Sequence, residues 1–120
     1  MGSGDGKHDA LAVGGHRLHI KSIAGVHSCC YVDSVDVAFD LGCCFGRVVS
    51  KSHVFITHGH VDHIAAFAQH AARRALQKMK PAKYYALPHL IPHMEMVLQG
   101  LASMQEVRIG SVLGGLVRLI

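Results

Sequence analysis

Thr57-His58-Gly59-His60-Val61-Asp62-His63 sets three histidines and one aspartate within six positions. The apolar run His53-Val54-Phe55-Ile56 precedes it, and a helix-like run starting at Ile64 follows. The order reads as strand, loop, helix. Leaving a strand, residues two apart point the same way, so His58 and His60 can reach one metal ion. Asp62 and His63 then lie on the turn into the helix, where they can reach a second ion beside the first. Imidazole nitrogen suits zinc, and a carboxylate oxygen is a good companion ligand. Two ions about 3.5–4 Å apart can clamp the attacking and leaving oxygens of a phosphoryl displacement. The alternative is a histidine-rich loop without metal, since the chain holds 11 histidines. H-x-H-x-D-H straight after a strand is a far more demanding pattern than a pair of histidines. It is not the H-E-x-x-H motif, in which both histidines share one helix face.

Upstream of the loop, Val35 to Leu41 reads as a strand that stops at Gly42. Asp40 lies at its end, where a carboxylate can support a loop histidine from behind its ligating face. Ser28 to Val32 reads as the preceding strand, and His16 to Ile23 as an edge strand. Residues 1–13 read as a flexible lead-in and residues 14–120 as one domain. Cys43 to Ser52 is a connector with a helical turn near Arg47. Downstream, Ile64, Phe67, Ala68, Ala71, Ala75 and Met79 share a helical face, and Pro81 stops that helix. Arg73, Arg74 and Lys78 could touch phosphates, but read first as a solvated basic face. Tyr84 to Leu87 reads as a short strand, and Pro88 and Pro92 bracket a helix start. Met94, Val97, Leu98, Leu101 and Met104 form the apolar stripe of that helix. His89 and His93 are four apart, but nothing in the sequence places them near the loop. Val107 to Ile109 and Leu116 to Ile120 read as further strands.

A chain of 120 residues fits one small domain. Half of it is hydrophobic and 17% is charged, too apolar for a disordered chain. No apolar run is long enough to span a bilayer, so no membrane partner is expected. Lys7 and His8 are followed by no secretory signal core. The formal charge of +4 is compatible with an RNA partner and equally with an ordinary solvated surface. Four cysteines fall as Cys29-Cys30 and Cys43-Cys44. Neither pair is C-x-x-C, and reduced thiols are expected.

The loop resembles that of the metallo-β-lactamase superfamily. Three blocks taken together resemble the short, plant-like form of tRNase Z (ribonuclease Z). They are Val37-Ala38-Phe39-Asp40-Leu41-Gly42, Val54-Phe55-Ile56-Thr57 running on through His63-Ile64, and Lys78-Met79-Lys80-Pro81. The earlier Gly25-Val26-His27-Ser28-Cys29 agrees as well. The resemblance implies an α/β fold, the N-terminal half of a four-layer αββα sandwich with a mixed sheet and two main helices. It implies a zinc-dependent endoribonuclease that removes the 3′ trailer from precursor tRNA with two zinc ions. His58 and His60 would hold the first ion and Asp62 and His63 the second. Asp62 would also orient or deprotonate the attacking water. A complete family member supplies further ligands and a tRNA-gripping arm from a second half, so this chain is expected to be inactive alone. Two other functions fit the same loop. One is a different hydrolase of the fold, such as a glyoxalase II-like thioesterase. The other is a non-catalytic half-domain that pairs with a full-length enzyme or with its own copy. A cytoplasmic or nuclear setting is expected, and an organellar one is compatible.

Overall fold

A computed structural model describes residues 9–104 and 115–118. Seven strands form one sheet in sequence order: β1 (Asp9–Val13), β2 (His16–Ile23), β3 (His27–Val32), β4 (Val37–Leu41), β5 (His53–Phe55), β6 (Lys83–Ala86) and β7 (Gly115–Arg118). β1 to β4 run antiparallel, and β4 to β7 run parallel. The sheet is therefore mixed, as expected. Parallel neighbours need crossovers, and the helices supply them. α1 (Val61–Ile64) and α2 (Phe67–Leu76) link β5 to β6, and α3 (Ile91–Met104) follows β6. Val107 to Ile109 and the last two residues of the expected final strand lie outside the described residues.

The first antiparallel pair corrects two expectations. Residues 9–13 are not part of a lead-in but form β1, paired from Asp9 with Ile20 to Val13 with His16. Gly14 and Gly15 both have positive φ, +54° and +81°. That is the two-residue hairpin turn that matches strand twist, open to glycine without steric cost. β2 consequently lies between β1 and β3 and is not an edge.

Alternation decides where the core sits. Ala38, Val54 and Tyr84 stand in register across β4, β5 and β6, and all are fully buried. They join Phe67 and Ala71 of α2 and Met94 and Leu98 of α3 in one cluster. Burying one such large side chain contributes about 1.5–3 kcal/mol. The next row, Phe39, Phe55 and Tyr85, faces the opposite side as a ladder of rings, with centroids 5.8 and 4.5 Å apart. On α3 the expected stripe is narrower than its sequence suggests. Met94 and Leu98 are buried, while Val97 and Met104 are exposed and Ala102 completes the inner face.

The helix after the loop differs from the single run expected from Ile64 to Met79. It breaks at Ala65-Ala66. The Ala66 N–H donates to Leu41 O at 2.7 Å, so a tertiary bond replaces the helical one. α2 ends ahead of Pro81. Lys78 turns to φ +60°, its N–H donates to Ala75 O, and the Met79 N–H donates to Arg74 O. Those two bonds cap the last carbonyls in the Schellman pattern.

Two polar residues of α2 are buried and tie the connector before β5 to the helix. His70 is fully buried, with Nδ1 2.7 Å from Tyr84 OH and Nε2 2.9 Å from Val48 O. A carbonyl can only accept, so Nε2 carries the proton and Nδ1 accepts from the tyrosine. Burial pulls the His70 pKa down from 6.5 to about 4 and pushes the Tyr84 phenol up. Arg74 corrects the expectation of a solvated basic face. Its guanidinium is buried and donates to Lys80 O at 2.7 and 3.0 Å, to Val49 O at 2.9 Å and to Lys51 O at 3.3 Å. It gathers carbonyls that the 3-10 turn Val48–Ser50 and the chain after α2 leave without backbone partners.

Candidate functional site

The site begins with an irregularity in β4. Cys30 pairs with Phe39 and Cys29 with Leu41, so Asp40 is an extra residue opposite a single step of β3. Asp40 has φ +62°, a left-handed conformation that aspartate tolerates better than most residues. Such a bulge re-aims a side chain. Strict alternation would bury only one of Asp40 and Leu41, yet both are buried. The Asp40 carboxylate is thereby turned onto the loop that leaves β5.

There it meets three donors. Thr57 N–H donates to Oδ1 at 2.7 Å, and the Thr57 hydroxyl lies 3.0 and 2.8 Å from the two oxygens. His63 Nδ1 lies 2.8 Å from Oδ2. The Thr57 hydroxyl is also 3.0 Å from His58 Nδ1. A carboxylate only accepts, so His63 Nδ1 carries a proton, and the threonine hydroxyl gives its own to Asp40. The hydroxyl oxygen can then accept from His58 Nδ1. One carboxylate thus sets the tautomer of two imidazoles, and in both the lone pair is left on Nε2. His63 Nε2 lies 3.4 Å from Asp62 Oδ2.

Backbone packing holds the far side of the loop. A Cβ at Gly42 would run into the carbonyl of Asp62 and the N–H of Ser28, so only glycine lets β4 and α1 approach this closely. His58 packs against both other loop histidines, with ring centroids 3.8 Å from His63 and 4.7 Å from His60. The four loop residues named from sequence are thus gathered in one place, with Asp40 behind His63. Among the described residues, however, no three His, Cys, Asp or Glu side chains are set out as a ready metal shell. The imidazoles pack on one another. The donor set itself fits zinc, being three imidazoles, those of His58 and His63 with their Nδ1 protons held, and one carboxylate.

Thr57 and Gly42 carry this arrangement, and neither stood out as a functional residue in the sequence. The signal for Gly42 was its place after Asp40-Leu41, which read only as a strand end. His93 is a further correction. A groove of about 530 Å³ runs beside the loop, lined by Gly59, Val61, Ile64, Leu90 and His93 among others. The start of α3 therefore does approach the loop. His89 is not among the residues that line that groove.

Comparison with known proteins finds relatives over part of the chain. The chain is 39% identical over 75 residues to tRNase Z TRZ1 of Arabidopsis thaliana, covering 62% of this chain and 27% of that protein. It is 31% identical over 88 residues to the chloroplastic tRNase Z TRZ2 of the same plant, covering 73% and 25%. It is 31% identical over 80 residues to the nuclear ribonuclease Z of Triticum aestivum, covering 67% and 46%. This chain belongs with the tRNase Z proteins, in the metallo-β-lactamase superfamily. No family model matches it. The matched segments span about a quarter of the two Arabidopsis relatives and under half of the wheat one. The mixed sheet and two main helices of this tRNase Z relative are those of a partial metallo-β-lactamase fold. No helix among its described residues is long and apolar enough to cross a membrane.

Proposed function

We propose that this chain carries the metal loop of a zinc-dependent endoribonuclease that removes the 3′ trailer from precursor tRNA. The supporting observation is the carboxylate chain at Asp40, which accepts from Nδ1 of His63 and, through the Thr57 hydroxyl, holds the proton of His58 on Nδ1, so that Nε2 of each keeps a lone pair for a ligand role. His58 and His60 would hold one zinc ion, and Asp62 and His63 a second. Zinc, when bound, supplies Lewis acidity at the scissile phosphate. The protein's own groups do the rest. Asp40 fixes the orientation of His63, and Thr57 relays that constraint to His58. Asp62 orients the attacking water and accepts its proton. Gly42 lets the Asp62 backbone seat against β4.

Each ion would receive two protein ligands from these residues, fewer than the three that a catalytic zinc takes. This chain as a lone monomer therefore cleaves little or no precursor tRNA. The ring ladder Phe39, Phe55 and Tyr85 offers a face for the second sheet of the sandwich or for another copy of the chain. The test is a cleavage assay on precursor tRNA with a labelled 3′ trailer, beside a zinc titration by calorimetry. Zinc uptake that His58→Ala and His63→Ala each reduce supports the reading. Zinc uptake that neither substitution changes refutes the loop as the metal site. Robust zinc-dependent cleavage by the purified monomer refutes the claim of low activity.

A further inference from the structure

Three sulfurs, of Cys29, Cys43 and Cys44, lie near one another around the end of β4. Cys29 on β3 pairs with Leu41, and the Gly42 N–H donates to Ser28 O at 2.9 Å, so Cys43 follows directly beside the strand that carries Cys29. Cys29 is buried, and the thiol of Cys43 beside it raises its pKa. Cys43 and Cys44 are half-buried and pack against the same core. Arg73 Nη1 donates to Cys44 Sγ at 3.3 Å, which places a fixed positive charge against the cluster. All four cysteines are thiols and none is a half-cystine.

We infer that Cys29 and Cys43 form an oxidisable dithiol, a site where a hydroperoxide installs an intramolecular disulfide between β3 and the segment after β4. The roles of the two sulfurs follow from their surroundings. The Cys43 thiol, burial and the other nearby sulfurs push the Cys29 thiol up, so it keeps its proton. Cys43 is half-buried where Cys29 is buried, and the guanidinium on Cys44 favours negative charge in the cluster. The Cys43 thiolate attacks one oxygen of the peroxide, the O–O bond breaks, and Cys43 becomes a sulfenic acid as water or an alcohol leaves. The Cys29 sulfur then attacks the Cys43 sulfur. The S–S bond forms, the S–O bond breaks, and hydroxide departs with the Cys29 proton as water. The peroxide takes up two electrons, one from each sulfur.

Hydrogen peroxide is added to the folded chain, remaining thiols are alkylated, and the chain is cut at aspartates. Asp33, Asp36 and Asp40 separate Cys29-Cys30 from Cys43-Cys44, whereas all four share one tryptic peptide. The expected result is a linked pair of fragments that dithiothreitol resolves. The link is lost in Cys43→Ser and kept in Cys30→Ser and Cys44→Ser. Cys29 is buried, and Cys29→Ser can fail to fold, so the half-buried Cys43 carries the decision. A link that survives in Cys43→Ser overturns the assignment, as does a wild-type chain in which Cys43 advances to sulfonic acid while Cys29 stays a thiol.

Discussion

Asp40→Asn is the sharpest perturbation of the site, because it removes the charge and turns one acceptor into a donor while keeping shape. Asparagine tolerates the left-handed conformation of residue 40, so backbone strain is held constant. The amide has one oxygen where the carboxylate has two. If that oxygen faces the Thr57 N–H, now bonded at 2.7 Å, the NH2 faces His63 Nδ1, now at 2.8 Å. Two donors then meet unless His63 moves its proton to Nε2. The reverse orientation sets the NH2 against the Thr57 N–H, which cannot retautomerise. The first arrangement is therefore favoured, and it takes away the lone pair that His63 turns towards Asp62. Three hydrogen bonds to a charged acceptor become bonds to a neutral one. At about 1 kcal/mol each, the fold loses about 2–3 kcal/mol. Loss of such a supporting contact lowers metal affinity about 10–100-fold. Urea unfolding reads the first quantity and zinc calorimetry the second. Long-range proton–nitrogen NMR of the imidazoles reads the tautomer directly. A His63 that keeps its proton on Nδ1 in the variant, with stability unchanged, refutes the carboxylate chain as the organising device.

Further outcomes follow from other contacts. Gly42→Ala drives a methyl into the Asp62 carbonyl and costs about 2–3 kcal/mol, seen as a lower urea midpoint with an unchanged slope. Arg74→Met leaves the carbonyls of Lys80, Val49 and Lys51 without their donor and costs about 3 kcal/mol or more by the same measurement. His70 makes stability fall with acidity. Its pKa is 6.5 when unfolded and about 4 when folded, so only the unfolded chain takes up the proton between those values. The contribution is complete above pH 6.5 and is lost as pH falls towards about 4, about 3 kcal/mol in all. Urea titrations across that window should lose this slope in a His70→Gln variant that still folds.

The strands and the loop were legible because each rests on local pattern. Alternation in Val37 to Leu41 and the apolar run His53 to Ile56 need no tertiary information, and the loop histidines follow from spacing alone. What was illegible depends on contacts distant in sequence. The break at Ala66 arises because its N–H finds Leu41 O, 25 residues back, and no helix-propensity argument contains that bond. Arg74 looks the same as Arg73 in sequence. Only the fold shows that uncapped carbonyls on two sides of it make burial favourable. β1 carries no polar and apolar alternation, and every one of its residues is exposed, so the two glycines after it were its only sign. His93 lines the groove beside the loop through the packing of α3, a relation that spacing does not encode.

The bulge at Asp40 joins these levels. A left-handed aspartate costs about 1–2 kcal/mol relative to an ordinary strand residue. Glycine would avoid that cost and supply no acceptor. Ordinary strand geometry would supply the carboxylate and put it one step out of register with the loop. Hydrogen bonds to a charged acceptor return about 1.5–3 kcal/mol each, so even two of the contacts to Thr57 and His63 outweigh the strain. The strain is local to β4, whereas the return comes from residues in the loop after β5. The loop is therefore ordered from behind, by the neighbouring strand, and its histidines are oriented by the protein's own hydrogen bonds.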